Sequence, residues 1–161
     1  MNDELILALT LLALLGSALV AGVFFAFSTF VMRALARLPA ATGIAAMQSI
    51  NTAVLRPSFL GVFVGTALLS AALAVLAVLR WPDSGSPWLF AGGLLYVVGS
   101  FVLTRAVHIP RNDALQRSDA DSEDGAALWA RYVPQWTVWN HVRTLASLAA
   151  CACFAAALVT G

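Results

Sequence analysis

Residues 5–32 read LILALTLLALLGSALVAGVFFAFSTFVM, 28 residues without one charged side chain. As a helix the run is roughly 42 Å long, more than the ~30 Å of a hydrocarbon core. No part of it alternates with period two, and a backbone in lipid must satisfy its own hydrogen bonds, so it is read as a helix. Three further apolar runs follow, and the predicted spans are 5–32, 58–79, 88–107 and 139–160. The leader Met1-Asn2-Asp3-Glu4 is acidic where a signal peptide is basic, so the first run is expected to stay as a span.

The fold class expected is all-α, a single integral membrane four-helix bundle over 1–161. A short amphipathic helix is expected between spans one and two, and an interfacial helix before span four. Composition agrees: 61% of the 161 residues are apolar and 11% charged, with mean hydropathy +0.87. A soluble domain of this size leaves too much surface in water to hide that content. An ordinary soluble enzyme, a disordered chain and a nucleic-acid binder are thereby excluded.

Net charge is +1, and all nine basic residues are Arg. With four spans, the termini and residues 80–87 share one side, which holds Arg80 alone. The segments 33–56 and 105–143 carry the other eight. By the positive-inside asymmetry these segments are cytoplasmic and both termini outside, as in a bacterial inner membrane. The first partner expected is therefore the lipid bilayer. Small residues at packing spacing, Ala18 with Gly22 and Gly61 with Gly65, suggest close helix approach and would permit a homo-oligomer. Cys151 and Cys153 point apart on a helix and read as packing residues.

Polar chemistry is concentrated in the two Arg-rich segments. In residues 40–55, Ile44, Met47, Val54 and Leu55 share an apolar arc, with Asn51 in its middle. Pro110 is expected to end span three near His108, leaving Asn112 and Asp113 to cap the next turn. The acidic run 118–124 reads as a solvated loop with a helix N-cap. On a helical projection Trp129, Tyr132, Trp136, Asn140, Arg143 and Ser147 share one face, while Pro134 is expected to break or kink it. Trp129 and Trp139 read as interfacial tryptophans. Arg143 reads either as a snorkelling side chain or as a holder of an anionic oxygen. His108 and His141 end span three and begin span four, so both lie near one depth, with Asn51 approaching from the other segment. With Phe24, Phe25, Phe27 and Phe30 on span one, the arrangement suggests a pocket for a flat apolar ligand with one polar edge.

Several strings together resemble the anthrone oxygenase-like family of small four-helix membrane proteins. They are Gly22-Val-Phe-Phe-Ala-Phe-Ser28, Ile50-Asn51, Arg56-Pro57-Ser-Phe59, Ile109-Pro110-Arg-Asn112-Asp-Ala-Leu115 and Trp136-Thr-Val-Trp139-Asn140-His141-Val-Arg143-Thr144. The chain departs from the family's usual pattern at Arg33, Arg56 and His108. The resemblance implies oxidation of an anthrone, a small aromatic hydrophobic substrate, to an anthraquinone with O2 and without a cofactor. Such chemistry needs a base, donors for the oxyanion and a dry aromatic slot. On that reading His141 is the base, and Asn140, Arg143 and Asn51 hold the oxyanion. Trp136, His108, Asn112 and Phe27 bind the substrate. The alternatives are a haem- or metal-binding redox protein using His108 and His141 as ligands, and a non-enzymatic membrane subunit.

Overall fold

The computed structural model describes residues 3–81 and 83–161. Met1 and Asn2 of the leader and Pro82 of the 80–87 turn lie outside the described residues. Among the described residues four helices are long and apolar enough to cross a membrane: α1 (Asp3–Ala36), α3 (Pro57–Leu79), α4 (Ser86–Gln116) and α5 (Glu123–Thr160). Between the first two lies α2 (Ala40–Ala53). There is no strand among the described residues.

Local chemistry sets the helix starts. Asp3 and Glu4 stand in the first turn of α1, where the helix dipole favours negative charge. Pro57 opens α3, at a position whose backbone N–H would have no partner anyway. Ser122 caps α5, its Oγ accepting the Gly125 N–H at 2.9 Å.

Each long helix packs against two others in the closed order α1, α3, α4, α5. An Arg80–Asp3 ion pair of 3.1 Å and a Ser84 Oγ to Thr160 carbonyl bond of 2.6 Å tie both chain ends to the 80–87 turn. The termini and that turn therefore share one end, as four spans require. Leu12, Leu15, Leu19, Leu68, Val75 and Leu145 are each more than half exposed. An apolar surface of that extent is built for contact with lipid or protein rather than water.

At the other end the helices outrun a bilayer. With 34 and 38 residues, α1 and α5 measure roughly 51 and 57 Å against a ~30 Å hydrocarbon core. Against this extension packs α2, burying Ile44 and Met47 with Met32, Leu115, Trp129, Tyr132 and Trp136. That is the expected amphipathic helix, but it ends at Ala53 and Leu55 stays 64% exposed. Trp129 is buried against Gly43, so it is a core residue and not an interfacial one; Trp139 is exposed.

Both prolines expected to interrupt helices sit inside continuous ones. Ile109 keeps helical angles of φ −57° and ψ −50°. Two wide π-helical turns, Val97–Val102 and Thr104–His108, precede Pro110 and shift the carbonyls its ring would meet. Pro134 is exposed within α5, which runs unbroken from residue 123, so the expected interfacial helix and span four are one element.

The tight helix contacts also differ from the expected spacings. A Cβ on Gly22, Gly61 or Gly65 would meet nothing within 4 Å. Close approaches occur instead at Gly16 against Thr66, Gly92 against Phe154, Gly93 against the Ser70 carbonyl, and Gly99 against Ala146.

Candidate functional site

The polar face foreseen on α5 is the inner face of the bundle. Tyr132, Trp136, Asn140, Arg143 and Ser147 are all buried along it, and Thr144, which the projection did not place on that face, is buried with them. Each recurs three or four residues after another, so all point the same way. Opposite them, each of three π-helical turns contributes a hydroxyl or imidazole. Phe27–Val31 in α1 supplies Ser28, Val97–Val102 supplies Ser100, and Thr104–His108 supplies Thr104 and His108. A π turn inserts one residue and rotates everything beyond it, a device found often at functional sites.

Arg143 lies at the centre and is 5% exposed, so it does not snorkel. Its Nη2 donates to Asn140 Oδ1 at 2.7 Å and its Nη1 to Thr104 Oγ1 at 3.0 Å. The guanidinium carbon is 4.1 Å from the centre of the Phe24 ring and 5.3 Å from that of Trp136. The Asn140 amide is held in turn, its nitrogen donating to the Phe24 carbonyl and Ser28 Oγ, both at 2.7 Å. Since guanidinium only donates and a carbonyl only accepts, this network fixes which way the amide faces. Ser28 and Thr144 hydroxyls close the set at 3.1 Å, and Ser100 pairs with Ser147 deeper in the bundle.

No carboxylate among the described residues pairs with Arg143. Among the described residues the ion pairs are those of Arg80 with Asp3 and Asp83, at the opposite end. A buried cation usually has an anionic partner, because desolvation is otherwise uncompensated. Here two neutral oxygens and two aromatic faces surround it, and its Nε has no partner. Such a group lacks the anionic partner that usually accompanies a buried cation.

His108 is 1% exposed. Its ring meets Trp136 edge to face, with centres 5.1 Å apart, and neither ring nitrogen has a hydrogen-bond partner. Phe27 packs against Trp136 at 5.5 Å. Asn112 does not cap a helix: its Oδ1 accepts both the Tyr132 hydroxyl at 2.8 Å and Trp136 Nε1 at 3.0 Å. Asn51 approaches Tyr132 from α2, its amide nitrogen buried and unpartnered. Of the seven buried side-chain polar atoms without a partner among the described residues, five lie at this end, on Asn51, His108, Arg111 and Arg143. Buried polar atoms are normally paired, so this group is the largest set of unmet hydrogen-bonding capacity among the described residues.

His141 lies outside the cluster, exposed on another side of α5, so it does not join His108 in a shared pair of ligands. Phe25 and Phe30 also face outward, while Phe24 and Phe27 face in. Among the described residues no three His, Cys, Asp or Glu side chains gather as metal ligands. A cleft of about 610 Å³ opens at the opposite end beside Asp3, Arg80 and Ser86. There Arg80 is paired with acids and the Thr10, Ser84 and Ser86 hydroxyls are bonded to carbonyls. The buried side-chain polar atoms without a partner among the described residues lie elsewhere, on Ser17 and Ser70 and at the Arg143 end.

The sequence offered Tyr132 through its shared face, although not as a partner of Asn112. It gave no signal for Thr104, whose contact with Arg143 depends on the π turn that rotates it inward.

A family model described as anthrone oxygenase matches residues 59–153, more than half of the chain. The chain belongs to the anthrone oxygenase family. The matched stretch includes His108, Asn112, Trp136, Asn140 and Arg143 of the cluster. It leaves out Phe24 and Ser28 on α1 and Asn51 on α2. No curated protein and no solved structure matches the chain.

Proposed function

We propose that this anthrone oxygenase family member is a membrane-embedded oxygenase. It oxidises a flat phenolic substrate of the anthrone type at the Arg143 cluster, in the plane of a bacterial inner membrane with the Arg-rich end cytoplasmic. The observation that carries the proposal is the buried, carboxylate-free guanidinium beside an unpartnered imidazole. An anthrone methylene loses a proton to give a delocalised oxyanion. Arg143, held by Asn140 and Thr104, stabilises that oxygen, and charge stabilisation in a dry site is worth more than in water. His108, whose two ring nitrogens have no partner, takes the proton. It replaces His141, which faces away from the cluster.

The electron balance needs no further reductant. The carbanion passes an electron to O2, the radical and superoxide combine into a C–O bond, and protonation gives a hydroperoxide. Loss of the remaining C–H proton with O–O cleavage leaves the ketone and one water. The methylene carbon is oxidised by four electrons, which reduce O2 to the carbonyl oxygen and that water. Trp136 and Phe27 supply the aromatic wall.

The test uses purified protein in nanodiscs with 1,8-dihydroxyanthrone, following O2 uptake and anthraquinone absorbance. His108→Ala should lower turnover by about 10²-fold or more, the usual range for a lost general base, while His141→Ala stays near the parent. Unchanged turnover in His108→Ala removes it as the base. A parent protein no faster than empty discs removes the oxygenase.

A further inference from the structure

Beside the cluster, where α4 and α5 leave the bundle, lies a smaller open pocket of about 280 Å³ lined by Arg111, Ala114, Leu128, Arg131, Tyr132 and Gln135. Its two guanidiniums belong to different helices, and no acid lines it. Neither Arg111 nor Arg131 forms an ion pair with a described carboxylate. Arg111 is anchored by one bond, Nη1 to the Val107 carbonyl at 2.8 Å, and its Nε is buried without a partner. Two cations brought to one cavity repel each other, an arrangement that an anion between them would reverse. Its lining includes Tyr132, whose hydroxyl continues through Asn112 to Trp136 and so to the His108 ring. Leu128 and Ala114 add an apolar wall.

We propose that this pocket binds an organic anion, the carboxylate or phosphate of a molecule with an apolar body, between Arg111 and Arg131. Liquid water occupies ~30 Å³ per molecule, so the volume suits an anionic group with its attached ring or chain rather than a bare ion. The charged end is held at the polar surface while the body lies on Tyr132 and Leu128. If the oxygenase reading holds, this makes the favoured substrates carboxylated aromatics, delivered to the cluster by the Tyr132 side. The binding claim itself does not rest on that reading.

The experiment compares 9-anthracenecarboxylate with neutral 9-anthracenemethanol, titrated by ligand fluorescence into the protein in non-ionic detergent. The acid should bind about tenfold tighter or more, since charge-assisted bonds to guanidinium are the strong ones. That preference should vanish in Arg111→Gln/Arg131→Gln and largely survive in Arg111→Lys/Arg131→Lys. Phosphatidylglycerol added to the micelles should compete with the acid if the natural occupant is a lipid headgroup, and phosphatidylcholine should not. Absence of competition by phosphatidylglycerol leaves the aromatic acid as the ligand. Equal binding of acid and alcohol by the parent protein, which needs no variant, overturns the anion site. So does a preference that persists in the double Gln variant. An acid bound through both arginines by a protein without anthrone turnover would overturn the oxygenase and leave this site standing.

Discussion

Asn140→Asp separates the charge of Arg143 from the fold around it. The side chain keeps its shape, and its Oδ1 still accepts the guanidinium Nη2 that lies 2.7 Å away. The nitrogen that donates to the Phe24 carbonyl and to Ser28 Oγ, both at 2.7 Å, becomes an acceptor. Ser28 can turn its hydroxyl and donate instead; the Phe24 carbonyl cannot. The Phe24 bond is lost, with some oxygen–oxygen repulsion, and so is the bond Ser28 made to Thr144, whose own hydrogen goes to the Asn140 carbonyl; each is worth about 0.5–1.5 kcal/mol. Against that, the bond to Arg143 becomes an ion pair, roughly twice as strong as a neutral bond. The two changes offset to within about 1–2 kcal/mol, a shift of roughly 2–8 °C in Tm for a chain of this length.

Turnover responds differently. A carboxylate against Arg143 neutralises the cation before substrate arrives and repels the oxyanion as it forms. Loss of one such stabilising donor typically costs about 10²–10³ in rate. The variant should therefore fold, melt near the parent and turn over anthrone at least about a hundredfold more slowly, as measured by O2 uptake in nanodiscs beside thermal circular dichroism. Asn140→Ala loses all three bonds and should melt well below Asn140→Asp. A folded Asn140→Asp with turnover within about threefold of the parent would refute the use of the Arg143 charge in catalysis, since the expected loss is far larger.

The glycines give a contrast in stability. Gly93→Ala places a methyl against the Ser70 carbonyl and Ala74 and should destabilise by about 1–3 kcal/mol, whereas Gly61→Ala and Gly65→Ala enter open space and should leave Tm within a degree or two, as usual for exposed helix sites. For orientation, a C-terminal alkaline phosphatase fusion should be active and a green fluorescent fusion dark; the reverse pattern places the Arg-rich end outside.

Local sequence determined what this protein is made of and which end is polar. An uncharged run such as Leu5–Met32 has no stable state in water and few in lipid besides a helix. The three-and-four spacing from Tyr132 to Ser147 was enough to align one face of α5, because helical geometry is local. Tertiary structure decided what that face meets. Spacing could not show that Pro110 and Pro134 would be carried through unbroken helices, since π turns and neighbouring helices absorb them. Nor could it orient the two histidines. The turn Thr104–His108 carries His108 into the bundle, while the pitch of α5 carries His141 outward. Burial of Arg143 was undecided in the sequence for the same reason. A guanidinium near a helix end snorkels unless its neighbours enclose it, and the enclosing groups, Phe24, Thr104 and Trp136, come from three helices brought together only by the closed packing of the bundle.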